Sequence, residues 1–252
     1  MKVSKIIIVV STLCLFYGLP AVQASDKWLD KILSKDKKSD SKLNTKGLDL
    51  GGLNLEDISS AFKEALTKGS SNVVSQLGKA DGFNADEAIH IPLPKSLKKV
   101  RKVLKKVGMS DMVNDLETKL NRAAEAATPI AKDLFIQSIK DMTFEDVKKI
   151  YSGANDSATQ YFKQKMSGSL SEKMNPIVEK SLLEVGAVKA LNAVMEKYGD
   201  IPFVKSVKPD LTGHVVQKGM DGIFYYLAKQ EAEIRKNPIK QTTNLLKKVF
   251  GK

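Results

Sequence analysis

The chain has 252 residues, a formal charge of +12 and a single cysteine, Cys14. That length is ample for a hydrophobic core in one large domain or two small ones. The lone cysteine excludes an intrachain disulfide and Cys-ligated zinc, and the positive excess favours anionic partners such as membrane headgroups, lipopolysaccharide, acidic glycans or nucleic acid.

Lys2 and Lys5 precede the apolar run Ile6 to Tyr17, and Val22-Gln23-Ala24 puts small or compact side chains where a signal peptidase reads. Residues 1–24 are therefore expected to be a secretory signal peptide cut after Ala24, delivering the protein to a Gram-negative periplasm. The run is too short to span a bilayer comfortably. Export removes nucleic acid from the expected partners. Cys14 falls inside the leader and follows Ser11-Thr12-Leu13, which is not a lipobox, so no lipid anchor is expected. Residues 25–52 are expected to be a flexible charged leader. The run from Lys35 to Lys42 cannot bury surface, and Gly47, Gly51 and Gly52 close the linker.

Residues 53–252 are expected to form one all-α domain of roughly nine helices. The first helix starts at Leu55, with Asn54 as its cap and Leu53 and Ile58 as a hydrophobic staple. Its apolar stripe is Ile58, Phe62, Ala65, Leu66, Val73 and Leu77. Asp81-Gly82-Phe83-Asn84 reads as a turn, Ile89-His90-Ile91 as a short extended piece, and Pro92 and Pro94 favour extended backbone. The stretch Ser96 to Val107 puts Leu97, Val100, Val103, Leu104 and Val107 on one side and six cations on the other. Gly108 stops it.

A further helix runs from Asp111 to Ala127, and Pro129 breaks or kinks the chain before Ile130 to Met142. Thr143-Phe144-Glu145-Asp146 resembles a capping box opening a helix to Tyr151. Gly153 to Asp156 is a turn and cap. Ala158, Phe162, Met166, Leu170 and Met174 then recur every fourth residue. Pro176 is expected to start or kink the next piece, which reaches Tyr198-Gly199. Leu211 to Lys236 is the longest pattern, and Leu245, Leu246, Val249 and Phe250 make a last amphipathic helix.

Standard catalytic constellations are missing from the pattern. His90 and His214, the two histidines, lie far apart and outside His-Glu-x-x-His spacing, so no metal site or cofactor is expected. No Gly-x-Ser-x-Gly elbow and no phosphate-cradling glycine loop occur. Ser167-Gly168-Ser169 reads as a close packing point, and Gly213, Gly219 and Gly222 as sites where helices cross closely. Of the acidic pairs Glu56-Asp57, Asp86-Glu87 and Glu145-Asp146, two sit in first helical turns, where the helix dipole accounts for them. No residue is assigned as catalytic. Lys98, Lys99, Arg101, Lys102, Lys105 and Lys106 would attract an anionic polymer or membrane surface; a solvated outer face explains them as well. Asn121, Arg122 and Glu125 share adjoining faces of an Ala/Leu-rich helix, where they would organise the core or line a pocket.

Several segments taken together resemble domain-of-unknown-function family 4197. They are Ile91-Pro92-Leu93-Pro94, Asn121-Arg122-Ala123-Ala124-Glu125 with Phe135 and Ile139, and Gly153 with Ala158-Thr159-Gln160-Tyr161-Phe162. Lys197-Tyr198-Gly199, Lys218 to Phe224, Ile234 to Pro238 and Thr242 to Gly251 continue the match in order from about Leu53. Lys240-Gln241 departs where an Arg before the Thr pair is common, and Lys229-Gln230-Glu231 is less acidic than usual. The resemblance implies an exported bacterial helical domain and no particular activity. On it mainly rest the ligand candidates Asn121, Arg122, Glu125, Thr159, Tyr161, Lys218, Asp221 and Arg235. Asn, Thr and Tyr would anchor polar groups, and Arg and Lys would contact anions. The expected function is a non-catalytic periplasmic binding or envelope-associated protein recognising an apolar or anionic envelope component, a lipid or an anionic polymer, with peripheral membrane contact. The alternatives are an envelope hydrolase and a structural docking partner of another envelope protein.

Overall fold

A computed structural model describes residues 55–198 and 209–236. Among them lie eight α-helices, two short 3-10 turns and no strand. They are α1 (Leu55–Leu77), α2 (Lys98–Lys106), α3 (Ser110–Ala127), α4 (Ala131–Lys140), α5 (Phe144–Tyr151), α6 (Ser157–Glu184), α7 (Ala187–Tyr198) and α8 (Leu211–Lys236). The all-α expectation holds, with eight described helices rather than nine. The expected cap and staple at Asn54 and Leu53 and the last helix at Leu245 to Phe250 lie outside the described residues.

Helix α6 organises the packing. Ala158, Phe162, Met166, Leu170, Met174, Val178 and Leu182 are all buried. A four-residue spacing advances about 40° per step, so this stripe winds around the helix instead of staying on one face. One helix can therefore pack against α3, α4, α5, α7 and α8 in turn. Phe135 of α4 meets Phe162 edge to face, with ring centroids 5.1 Å apart. Helix α1 packs on α4 and α8, and α7 on α3 and α6. Gly219 of α8 is where α3 and α6 come close. A Cβ there would sit 3.1 Å from Met174 Cε and 3.8 Å from Ala124 Cβ.

Five expectations need correction. Pro176 does not start a new helix: α6 continues through it. Pro176 and Glu172 are both exposed, so solvent can satisfy the one carbonyl that the missing N–H frees. The break comes instead at Gly186, whose φ of 73° ends α6 before α7. Gly168 is no packing point, because it faces open space. Gly213 is not a crossing either. Its N–H donates to Asp210 Oδ1 at 2.8 Å, which caps the start of α8. Val107, assigned to the apolar side of its helix, is 56% exposed because α2 ends one residue before it. The extended piece at Ile89–Ile91 begins only at its end; Ile89 still belongs to a turn.

The Thr143 capping box forms as expected. Thr143 Oγ1 accepts the Asp146 N–H, and Asp146 Oδ2 accepts the Thr143 N–H at 3.0 Å. The Thr143 hydroxyl, which donates to Asp146 Oδ2 at 2.7 Å, and then the Thr143 N–H hold the Asp146 carboxyl below the usual carboxylate range.

Candidate functional site

Residues 78–94 connect α1 to α2 without regular structure, so their backbone groups need partners from elsewhere. Helix α3 supplies them. Glu117, Asn121 and Glu125 stand four residues apart, which stacks them on one helix face. All three are buried. Glu125 Oε1 accepts the N–H groups of Phe83 and Asn84, both at 3.0 Å. Asn121 Oδ1 accepts the Ile91 N–H at 2.8 Å, and its Nδ2 donates to the Ile91 carbonyl at 3.0 Å. Glu117 Oε1 accepts the Leu93 N–H at 2.9 Å. One polar helix face thus does for this segment what a neighbouring strand would do in a sheet.

The two carboxylates each carry a cationic partner. Arg101 of α2 reaches Glu117 Oε1 at 3.1 Å, and Arg122 Nη1 reaches Glu125 Oε2 at 2.8 Å. Arg122 Nη2 also donates to Asp81 Oδ1 at 2.8 Å. Asn84 first and then Arg122 hold the Asp81 carboxyl below its ordinary range, and the bond to Glu125 raises Arg122 further. His214 Nε2 donates to the Pro92 carbonyl at 2.8 Å, pinning the same segment from α8. Glu117 and Glu125 are eight residues apart, about 12 Å along the helix axis, and both are committed to backbone donors. They do not form a general acid–base pair.

A second buried junction joins α5, α6 and α8. Glu231 Oε1 accepts the Ala158 N–H at 2.9 Å, and Oε2 accepts the Thr159 N–H and the Thr159 hydroxyl at 2.9 and 3.0 Å. The start of α6 is capped by a carboxylate from another helix; the expected local cap, Asp156, makes no side-chain cap bond. Arg235 donates to Glu231 Oε1 at 2.9 Å and to the Ile150 carbonyl at 2.7 Å, near the end of α5.

The candidate ligand residues therefore separate. Asn121, Arg122 and Glu125 belong to the α3 ladder, and Thr159 and Arg235 to the α5–α6–α8 junction. Tyr161 is half-buried against Phe162. Lys218 and Asp221 pair with each other at 3.0 Å on the exposed side of α8. Sequence reasoning passed over Glu117, although its spacing to Asn121 and Glu125 marked it. It also passed over Glu231: the helix start it caps lies more than seventy residues away, and only its i,i+4 spacing to Arg235 was local.

An open groove of about 530 Å³ lies beside the connecting segment, lined among others by Asn72, Gln76, Asp81 and Asp86. Its carboxylates are engaged: Asp81 with Arg122, and Asp86 with the Tyr226 hydroxyl and the Ala88 N–H. The described residues contain no cluster of His, Cys, Asp and Glu able to hold a metal ion, and no helix long and apolar enough to cross a membrane.

The cationic helix is arranged differently. Leu97, Val100 and Leu104 bury its inner side. Arg101 is turned to Glu117 and ties α2 to α3. Lys98, Lys99, Lys102, Lys105 and Lys106 are exposed. Among the described residues Lys98, Lys102, Lys105 and Lys106 have no ion pair. Of the eight described helices, α2 alone contains no Asp or Glu.

The family model described as "Protein of unknown function (DUF4197)" matches residues 52–251, and the chain belongs to that family. No curated protein and no solved structure matches the chain.

Proposed function

We propose that this member of the family is a non-catalytic, exported, envelope-associated protein that binds an anionic envelope component through the outer face of α2. The observation that carries the reading is the segregation of charge on this helix. Every other described helix mixes signs, while α2 presents five exposed lysines and no carboxylate. The helix dipole favours Lys105 and Lys106 near the C-terminus, but it offers Lys98 and Lys99 at the other end nothing. The positive start, short apolar run and Val22-Gln23-Ala24 of residues 1–24 support export. Commitment of Glu117, Glu125 and Glu231 to backbone donors supports holding over chemical transformation.

Retention of the full chain on immobilised dextran sulfate, measured against salt, tests the reading. Exposed charges are screened over about 8 Å at physiological ionic strength, so retention should fall steeply as salt rises. Replacing Lys98, Lys102, Lys105 and Lys106 together by Gln should abolish it. Unchanged retention of that variant would refute the assignment to α2.

A further inference from the structure

We infer that Asp81 is a site of spontaneous aspartate-to-isoaspartate conversion in the folded chain, and that Asn84 and Arg122 slow the conversion by holding its carboxylate. The reaction needs no partner but water. The Gly82 nitrogen attacks Asp81 Cγ, and the new C–N bond closes a five-membered succinimide. The N–H proton and the carboxyl hydroxyl leave as water. Water then reopens the ring at either carbonyl. One opening restores aspartate; the other leaves isoaspartate, whose backbone is longer by one CH2.

The fold asks for this labile pair. Asp81 has a φ of 65°, a left-handed conformation that Asp adopts more readily than most side chains. Gly82 is buried. A Cβ there would lie 2.8 Å from the Gln76 carbonyl oxygen and closer still to that of Leu77, so glycine is required. Glycine also leaves its own nitrogen the least hindered. The chain has one other Asp-Gly pair, Asp221-Gly222. That pair lies inside α8. An interior helical N–H is committed to the carbonyl four residues back, and helical geometry keeps it from the preceding side chain. Asp81 and Gly82 lie in the connection between α1 and α2, outside any helical ladder, and the Asp81 side chain is 53% exposed.

The same surroundings slow the attack. A carboxyl leaves as water only when protonated. Asn84 Nδ2 and Arg122 Nη2 both donate to Asp81 Oδ1, at 3.0 and 2.8 Å. Asn84 first, then Arg122, keep this carboxyl ionised further into acid than usual. The attacking Gly82 N–H is itself bonded to the Lys79 carbonyl at 3.0 Å. Where conversion does occur, the added CH2 enters a turn with no room for a Cβ. It shifts Phe83 and Asn84, whose N–H groups Glu125 holds, and loosens the segment from α3.

Incubating the full chain at mildly acidic pH, then mapping its tryptic peptides by electron-transfer fragmentation, locates isoaspartate residue by residue. Relative to each residue's rate in urea, conversion in the folded chain should be faster at Asp81 than at Asp221. Asn84→Ala and Arg122→Gln should each speed folded-state conversion at Asp81 roughly two- to five-fold, the worth of an exposed polar tie, and leave Asp221 unchanged. A variant that simply unfolds would speed Asp221 as well; Asn84→Ala keeps the Arg122–Glu125 pair and decides the matter if Arg122→Gln does so. Isoaspartate at Asp221 as early as at Asp81, or none at Asp81 in the folded chain, would overturn the site. Unchanged Asp81 rates in both variants would overturn the restraint.

Discussion

Replacing Glu231 by Gln probes the least local feature of this fold. The native carboxylate offers two oxygens, one to the Ala158 N–H and Arg235, the other to the N–H and hydroxyl of Thr159. Glutamine keeps one acceptor and turns the other into a donor. In either orientation a buried N–H at the start of α6 then faces another N–H. Leaving such a donor unsatisfied costs about 1–3 kcal/mol. Losing the negative charge at a helix N-terminus adds about 0.3–1 kcal/mol. Arg235 keeps its bonds to the Ile150 and Tyr151 carbonyls, so the cation is not stranded. The expected loss is therefore about 2–4 kcal/mol, and a melting temperature lower by roughly 5–15 °C for a domain of this size. Glu231→Ala, which strips both acceptors, should cost about 3–5 kcal/mol. Urea titration followed by far-UV circular dichroism measures both. Lys218→Gln, which breaks an exposed pair on the same helix, should change stability by less than about 1 kcal/mol. If Glu231→Gln were as mild as Lys218→Gln, the α6 terminus would not depend on this cap.

Three further outcomes follow from the packing. Asn121→Leu leaves both backbone groups of Ile91 without partners and should cost about 2–4 kcal/mol; hydrogen exchange at Ile91 and Leu93 should accelerate more than in α8, and uniform acceleration would refute the ladder. Gly222→Ala places a Cβ 2.6 Å from the Phe83 ring and should cost about 1–3 kcal/mol, whereas Gly168→Ala meets nothing and should stabilise by about 0.5–1 kcal/mol; equal effects in thermal melts would contradict the assigned surroundings. The hydrogen bond to Asp86, and then burial, push the Tyr226 hydroxyl up to about 12. Because that lies above the ordinary value near 10, its contribution is complete below pH 10 and lost as pH rises through 12. Tyr226→Phe should remove this part of the alkaline destabilisation, and an unchanged alkaline arm would exclude it.

Helix limits were legible wherever the signal was local. Thr143 and Asp146, three residues apart, form the cap they announced, and the helix after them ends at Tyr151 as expected. The burial of the α6 stripe followed from a four-residue repeat. Pro176 misled because a proline's effect depends on whether the freed carbonyl meets solvent or core. Gly168 misled because a small residue has the same identity at a close crossing and in open space.

What the sequence alone determined was the helical class, the elements with local caps and stripes, and the concentration of lysine in one short helix. Those properties depend on neighbours within one or two turns. Only the tertiary structure decided what the buried polar groups do. Asn121, Glu125 and Thr159 looked equally suited to a ligand, and Arg101 to an anionic surface. Their hydrogen-bonding capacity is instead taken up by residues 16 to 72 positions away. The outer lysines remain turned to solvent, because the inner side of α2 is already filled by Leu97, Val100 and Leu104.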